Sequence, residues 1–188
     1  MTRRPQRHYS LDEYFAVEAS SSIKHEYYDG EIFAVAGASV AHNHISANVL
    51  AALRVGLRGS DCSAFGGDLR VKTRSGLYTY PDVMVICGKI ELTRDQPDTA
   101  TNPCAIIEVL SDATQNYDRG DKFTLYKTIP ALRDYLLIDQ KKIFVEHFRL
   151  NKRGVWKAAS FPKLSEEVSL SAIDVALPLS EIYERVFV

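Results

Sequence analysis

Two carboxylate residues lie in stretches of the sequence that are otherwise apolar. Asp82 lies within residues 80–86, and Glu108 lies within residues 105–110. Burying an unpaired carboxylate is costly, so each residue needs a cation, a hydrogen-bond donor or a raised pKa. If the two stretches form neighbouring strands, both carboxylates can bind one divalent ion. Mg²⁺ suits such a pair, because it binds one or two protein carboxylates and keeps several waters.

The simpler interpretation of either carboxylate alone is a structural contact with backbone amides or with an arginine at the end of a strand. The occurrence of both residues favours a shared metal ion instead. Without metal, two converging carboxylates repel each other, so at least one of them is expected to have a raised pKa.

Three polar residues follow Glu108 at helical spacing. Asp118, Lys122 and Tyr126 are each four residues apart, so on a helix they lie along one face. The ammonium of Lys122 could orient an attacking water or offset charge on a phosphate. The alternative is a surface ion pair of Asp118 and Lys122, in which case replacing Lys122 changes stability by less than about 1 kcal/mol.

Four further residues are weaker candidates. His42 and His44 are two residues apart at the start of a predicted helix, which makes them a poor chelating pair. His42 alone could approach the carboxylates, or it could simply contribute to the helix start. Glu26 and Asp68 are possible additional acids of the site.

Several local signals predict the elements that must position these residues. Ser10 and Glu13 form a capping-box pattern for a first helix. Asp29-Gly30 predicts a hairpin turn. Ser39 can cap a second helix that ends near Gly59. The apolar stretch around Glu108 is typical of a central strand that is buried on both faces.

Other patterns complete a mixed α/β, or α+β, domain. Strands are predicted near residues 62–65, 69–73, 80–87, 135–139, 143–150 and 155–161, and helices near residues 118–128 and 179–186. We therefore expect one curved mixed sheet flanked by helices, formed by residues 10–188 as a single domain after an N-terminal arm of residues 1–9.

The composition limits the function classes. The 188 residues carry a net charge of −1, which argues against strongly charge-driven binding to nucleic acid. No apolar run is long enough to span a membrane. The three cysteines, Cys62, Cys87 and Cys104, show no metal-binding spacing, so they are expected to be reduced thiols in a cytoplasmic protein.

Taken together, the order and spacing of these motifs resemble the Uma-two family of restriction endonucleases, within the PD-(D/E)XK nuclease superfamily. The resemblance covers about residues 10–180. Its motifs are Pro81-Asp82-Val83, Ile107-Glu108-Val109-Leu110-Ser111, Thr114, Asp118-Arg119, Lys122, Tyr126 and residues 134–139, with the Asp29-Gly30 hairpin, His42 and Ile45 also matching.

The resemblance implies a restriction-endonuclease-like fold and hydrolysis of DNA phosphodiester bonds with Mg²⁺, for which Mn²⁺ can substitute. It implies that Asp82 and Glu108 bind the metal and that Lys122 acts in catalysis, supported by Asp118, Tyr126 and His42. One departure from the superfamily pattern is Leu110, which stands where a lysine is usual. Cutting both strands of a duplex is simplest with two symmetric sites, so a homodimer is expected.

Two other functions fit the same residues. A catalytically silent nuclease-fold module would bind nucleic acid or a protein without cutting, and the near-neutral charge is compatible with it. A hydrolase of small phosphoesters would need a closed pocket rather than an open cleft.

Overall fold

The first half of the chain forms as its local signals predict. The computed structural model describes residues 7–94 and 96–187. Helix α1 (Leu11–Ser20) begins with the predicted capping box at Ser10. Strands β1 (His25–Tyr28) and β2 (Glu31–Ala34) form the predicted hairpin, in which Asp29 and Gly30 have φ angles of 48° and 81°. Helix α2 (Val40–Gly56) is capped by Ser39.

The remaining elements are short strands, interrupted by one helical segment between β8 and β9 and followed by a short C-terminal helix. They are β3 (Cys62–Gly66), β4 (Arg70–Lys72), β5 (Tyr78–Thr79), β6 (Val83–Cys87), β7 (Thr99–Ala100), β8 (Ala105–Leu110), α3 (Gln115–Tyr117), a π-helix (Asp118–Lys122), α4 (Phe123–Tyr126), β9 (Asp134–Asp139), β10 (Val145–Leu150), β11 (Trp156–Phe161), β12 (Glu167–Leu170), β13 (Val175–Pro178) and α5 (Leu179–Ile182).

The prediction of a mixed α/β domain is confirmed, but the described strands fall into three sheets rather than one. The central sheet has the order β11-β10-β9-β8-β6-β3, and only its β8–β9 pair is parallel. The second sheet has the order β2-β1-β5-β4-β7, and β12 pairs with β13 separately. The second sheet carries the hairpin and therefore brings β1 to the site described below.

Each face of the central sheet covers a separate apolar core. On one face, α2 packs through Ile45, Val49 and Leu53 against Ile107 of β8 and its neighbours. The opposite face packs against α4 and the second sheet. Side chains alternate along a strand, so Glu108 lies on the α4 face, opposite to Ile107.

The helix predicted near residues 118–128 differs from the prediction. It consists of α3, the π-helix and α4, of which the π-helix covers Asp118–Lys122. The spacing rules for an ideal α-helix therefore do not apply across this segment. Such π-helical turns are rare and are frequently found at functional sites. Strands β12 and β13 were not predicted, and α5 is shorter than the predicted C-terminal helix.

The prediction of three reduced thiols is wrong. Cys62 and Cys87 are joined by a disulfide between β3 and β6, and Cys104 is free. The two bonded residues lie directly opposite each other in the antiparallel β3–β6 register. They are distant in sequence, so only the strand pairing shows that they are neighbours.

Two further expectations concern the ends of the chain and membranes. Most of the predicted N-terminal arm, residues 1–6, lies outside the described residues, whereas the Tyr9 amide donates a hydrogen bond to the Gly30 carbonyl. Within the described residues, no helix has the length and apolar character needed to cross a membrane.

Truncating a side chain in the first core should destabilise the fold. Leu136 of β9 is fully buried in the core beneath α2. We expect Leu136→Ala to lower the free energy of unfolding by about 2–5 kcal/mol, since it removes buried apolar area and leaves a cavity. Urea denaturation measures the change. Leu164, which is 46% exposed, is the matched control, and Leu164→Ala should change stability by less than about 0.5 kcal/mol. Equal effects of the two substitutions would contradict this core.

Candidate active site

Asp82 lies immediately before β6, at the end of the strand pairing with β8. The last register pair is Val83 with Ile107, so the next step along both strands places Asp82 opposite Glu108. The Asp82 Oδ2 atom accepts a hydrogen bond of 2.7 Å from the Val109 amide. It also lies 3.1 Å from Nε2 of His42. The two contacts hold the carboxylate at the junction of β6, β8 and α2.

Glu108 lies in the middle of the central sheet, and its carboxylate is almost completely buried. Its Oε1 atom accepts a 2.7 Å hydrogen bond from the Tyr126 hydroxyl and lies 2.9 Å from Nζ of Lys122. Its Oε2 atom lies 3.4 Å from the Asp82 amide. The side chain of Glu108 therefore connects the lysine on one side with Asp82 on the other.

Lys122 ends the π-helix and is buried among three carboxylates. Besides Glu108, its Nζ atom lies 3.2 Å from Glu26 Oε1 and 3.5 Å from Asp118 Oδ1. The lysine side chain is only 8% exposed. The alternative interpretation of Lys122 and Asp118 as a surface pair is therefore wrong, because both residues are buried and the ammonium has further partners.

The structure brings one of the two additional acids to the cluster and not the other. Glu26 of β1 reaches Lys122 and also accepts a hydrogen bond from the Thr79 hydroxyl of β5. Asp68, by contrast, is 96% exposed and pairs with Lys24. The sequence offered little to separate these two acids, since only the pairing of β1 with β5 directs Glu26 toward the π-helix.

The three residues predicted to support the site all lie at it. Tyr126 contacts Glu108, and Asp118 contacts Lys122. His42 contacts Asp82 through its side chain, and its backbone amide donates a hydrogen bond to the Ser39 side chain that caps α2. His42 therefore both approaches the carboxylates and contributes to the start of the helix. His44 is exposed and lies outside these contacts. Sequence reasoning missed Tyr135, whose hydroxyl donates to the Asp118 carbonyl and anchors the π-helix.

The electrostatics of the cluster are dominated by burial. Burial raises the pKa of Glu108 to about 8, with Asp82 and Asp118 adding to the rise and Lys122 opposing it. Burial likewise raises the pKa of Asp118. Burial alone would lower the pKa of Lys122, but Glu108 and the other nearby acids outweigh it, so that pKa is raised and the ammonium stays charged. One carboxylate, that of Glu108, has the raised pKa that was expected, but burial is the main cause and repulsion by Asp82 a smaller one.

The donor set fits a hard divalent cation such as Mg²⁺. Three carboxylates, those of Glu26, Glu108 and Asp118, contact the single ammonium, and Asp82 adjoins Glu108, so acidic groups outnumber the cation. In addition, Oδ1 of Asp118 is buried without a hydrogen-bond partner. Oxygen ligands of this kind are those that Mg²⁺ prefers.

A cage of three side-chain ligands is not preformed at this cluster. In the part of the chain that the structure describes, three acidic, histidine or cysteine ligands converge only at Asp61, Cys62 and Cys87. Two of those three are the disulfide cysteines, which cannot act as thiolate ligands. A site of two carboxylates completed by water matches the usual coordination of Mg²⁺.

Removing the ammonium should strongly destabilise the apo protein. Lys122→Met keeps the apolar stem but leaves Glu26, Glu108 and Asp118 without their cation. We expect a loss of about 3–5 kcal/mol in the free energy of unfolding, as for breaking one side of a buried ion pair. The matched control is Lys141→Met, because Lys141 pairs with Asp112 at the surface, where both side chains are more than half exposed. The control should lose at most about 1 kcal/mol. A similarly small loss for Lys122→Met would contradict the buried pairing.

The raised pKa of Glu108 predicts a specific pH dependence. In the unfolded chain, Glu108 loses its proton near the ordinary pKa of 4.5, whereas in the fold it keeps the proton up to about pH 8. Between these values the folded state binds more protons, so the stability of the metal-free protein should fall as the pH rises. Glu108→Gln should flatten this part of the profile. Urea midpoints measured in EDTA across this window test the prediction, with Glu167→Gln, at an exposed position of β12, as the control that keeps the wild-type slope. An unchanged slope in Glu108→Gln would show that another group titrates.

Comparisons with known proteins identify a solved structure of the same fold and relatives in sequence. A solved structure with 18% sequence identity, described as "a putative nuclease belonging to DUF820" from Anabaena variabilis ATCC 29413, superposes with a TM-score of 0.76. The alignment covers 94% of this chain and 98% of that one. At this identity the likeness shows a shared fold.

Sequence relatives cover nearly the whole chain. "Uncharacterized protein slr1290" of Synechocystis sp. (strain ATCC 27184 / PCC 6803 / Kazusa) is 36% identical over 93% of this chain and 90% of its own length. "Uncharacterized protein sll1609" of the same organism is 35% identical over 87% of this chain and 93% of its own. The Uma2 family model, described as "Putative restriction endonuclease", matches residues 11–180. This chain therefore belongs to the Uma2 family.

Proposed function

We propose that this protein is a Mg²⁺-dependent endonuclease that hydrolyses DNA phosphodiester bonds. The observation that carries the proposal is the contact of the buried Lys122 ammonium with Glu108, directly beside Asp82. Two acids and a lysine in contact supply both a cation site and a charged donor. The family match and the shared fold support the same class of reaction.

Asp82 and Glu108 would hold the cation. When bound, Mg²⁺ supplies a Lewis acid that makes water more acidic and stabilises negative charge on a phosphate. Contacts with neighbouring groups fix the orientation of the two carboxylates. Both contacts of Asp82 fall on Oδ2, and the Tyr126 and Lys122 contacts of Glu108 fall on Oε1. Oδ1 of Asp82 remains for a ligand, and Oε2 of Glu108 has only the long 3.4 Å contact with the Asp82 amide.

Lys122 would supply the charged donor. Its ammonium is held by three carboxylates on different elements, so it needs little reorganisation when a substrate binds. From this position it can orient a nucleophilic water or offset the charge that develops on the phosphate. Its partner Asp118 is fixed in turn by Tyr135, which holds the π-helix against β9.

The active-site opening lies at the Asp82 end of the cluster. The side chains of Asp82 and His42 are 22% and 16% exposed, compared with 6% for Glu108. The proposed cation site is therefore most open to solvent at Asp82. The homodimer expected from duplex cleavage stays a prediction, as does a cytoplasmic location.

A plasmid-nicking assay with Mg²⁺ or Mn²⁺ tests the proposal. We expect the wild type to nick supercoiled DNA and EDTA to abolish the activity. Glu108→Gln should lower the rate at least as much as Lys122→Met. Lys122→Met should lower it by about 10²–10³-fold, the cost of removing one preorganised charged donor. The surface variant Lys141→Met is the matched control and should cut like the wild type.

Binding and cleavage must be separated to distinguish the alternative functions. Mg²⁺ at one hundred times its dissociation constant should stabilise the wild type by about 2.7 kcal/mol but not Glu108→Gln. Metal binding without nicking of DNA would indicate a catalytically silent module. Hydrolysis of a small phosphodiester without nicking would indicate a hydrolase of small substrates. If Lys122→Met cuts like the wild type once its folding is verified, the lysine has no catalytic role.

A further inference from the structure

A cleft with a volume of about 260 Å³ lies beside the carboxylate cluster. Its lining combines two aromatic rings, one carboxylate, one hydroxyl and one aliphatic side chain. These belong to Tyr28, Tyr117, Asp121, Thr124 and Leu125. The residues come from the end of β1 and from the segment that contains α3, the π-helix and α4, so the cleft lies where the second sheet meets that segment.

Short links connect the cleft with the proposed catalytic residues. The Tyr117 ring centroid lies 6.0 Å from Nζ of Lys122. Tyr28 is two residues beyond Glu26 on β1, and therefore on the same strand face, and Glu26 contacts Lys122 directly. Leu125 precedes Tyr126, which holds Glu108. A molecule in the cleft would lie close to Lys122, the proposed charged donor.

The chemistry of the lining disfavours a phosphate and favours a flat aromatic ligand. No lysine or arginine lines the cleft among the described residues, and its one charged group, Asp121, is negative. The two tyrosines are half-buried, and within the described residues neither ring stacks on another aromatic ring. One face of Tyr117 is turned to the Lys122 ammonium and Tyr28 packs in part against the second apolar core, so each ring can offer only its remaining surface to a ligand. Aromatic side chains with available faces are the usual platform for unstacked nucleobases.

Asp121 adds a preference among bases. An exposed carboxylate accepts hydrogen bonds from the amino group of cytosine, and adenine and guanine also carry amino donors. Thymine has no exocyclic amino group. Burial together with the nearby Glu26 raises the pKa of Tyr117 to about 12, so its hydroxyl stays a neutral donor at ordinary pH.

We propose that this cleft binds one unpaired nucleobase that carries an exocyclic amino group, next to the phosphate that is cut. Tyr28 and Tyr117 provide the stacking surfaces, and Asp121 accepts from the amino group. The inference rests on the proposed nuclease function and narrows its substrate to nucleic acid with a single-stranded segment at the cut. A paired base cannot enter, because its faces are covered by its neighbours and its amino group is engaged.

Binding of single-stranded oligonucleotides that carry one 2-aminopurine tests the proposal without cleavage. The full-length protein is titrated in EDTA at about 0.15 M salt, where repulsion between phosphates and the acidic cluster is screened beyond about 8 Å. We expect quenching of the fluorescence on binding, and weaker binding of a strand with an abasic residue or of the matched duplex. Tyr117→Ala and Tyr28→Ala should each weaken binding about 5- to 150-fold, the range for losing one base–aromatic stack. Tyr117→Phe keeps the ring and should restore most of the binding that Tyr117→Ala loses.

Asp121→Asn and Phe33→Ala serve as further variants. The wild type should bind cytosine strands at least about fivefold more tightly than thymine strands, and Asp121→Asn should reduce this ratio. Phe33 of β2 is 47% exposed outside the cleft, and Phe33→Ala should change nothing. Equal wild-type binding to the normal strand, the abasic strand and the duplex would overturn the inference, and this result does not depend on the folding of any variant.

The nicking assay separates this inference from the proposed function. If the wild type nicks DNA while the tyrosine variants bind and cut unchanged, the base-binding cleft is wrong and the nuclease assignment survives. If the wild type never cuts but binds single strands through Tyr28 and Tyr117, the nuclease assignment is wrong and the cleft is confirmed.

Discussion

The buried ammonium of Lys122 is the interaction on which the arrangement of the site depends. A charge removed from water must be paired within the protein, and here the partners come from three separate elements. Glu108 belongs to the central sheet, Glu26 to the second sheet and Asp118 to the π-helix. The same ammonium thus joins both sheets to the helical segment between β8 and β9.

The contribution of this cluster to stability does not explain why these residues are charged. Apolar side chains of similar volume often stabilise a fold as well as a buried ion pair does, or better. Here one cation faces several acids, and the pKa of Glu108 is raised to about 8 because burial and the neighbouring carboxylates disfavour its charge. A bound divalent cation of the kind proposed would offset this concentration of acidic groups. The electrostatic cost in the metal-free fold is thus an argument for a function of these residues.

Local signals in the sequence were sufficient to identify the two metal-binding candidates but not their surroundings. Strand β8 coincides with the apolar stretch predicted around Glu108, because a strand buried on both faces leaves a continuous apolar run. The Ser10 capping box and the Asp29-Gly30 turn could also be predicted, because their hydrogen bonds and dihedral angles involve only residues that are close in sequence.

Features set by long-range pairing could not be read in this way. The participation of Glu26, the Cys62–Cys87 bond and the division into three sheets all depend on which strands become neighbours. Strands β12 and β13 are only four residues each and lack a strong turn signal. The π-helix depends on tertiary contacts such as the hydrogen bond from the Tyr135 hydroxyl to Asp118.

The position of the lysine follows from how the α4 face of the central sheet is packed. Along β8, Ile106, Glu108 and Leu110 point to this face, and Leu110 is buried in the apolar core with Phe123 of α4. An ammonium at position 110 would enter that core without a partner. The π-helix instead delivers Lys122 to Glu108 from across the face, where Glu26 and Asp118 are also within reach. The same helical segment carries Tyr117 and Asp121, so the element that supplies the charged donor also forms one wall of the cleft beside it. If both proposals hold, phosphodiester cleavage and selection of the base depend on the same short helical segment.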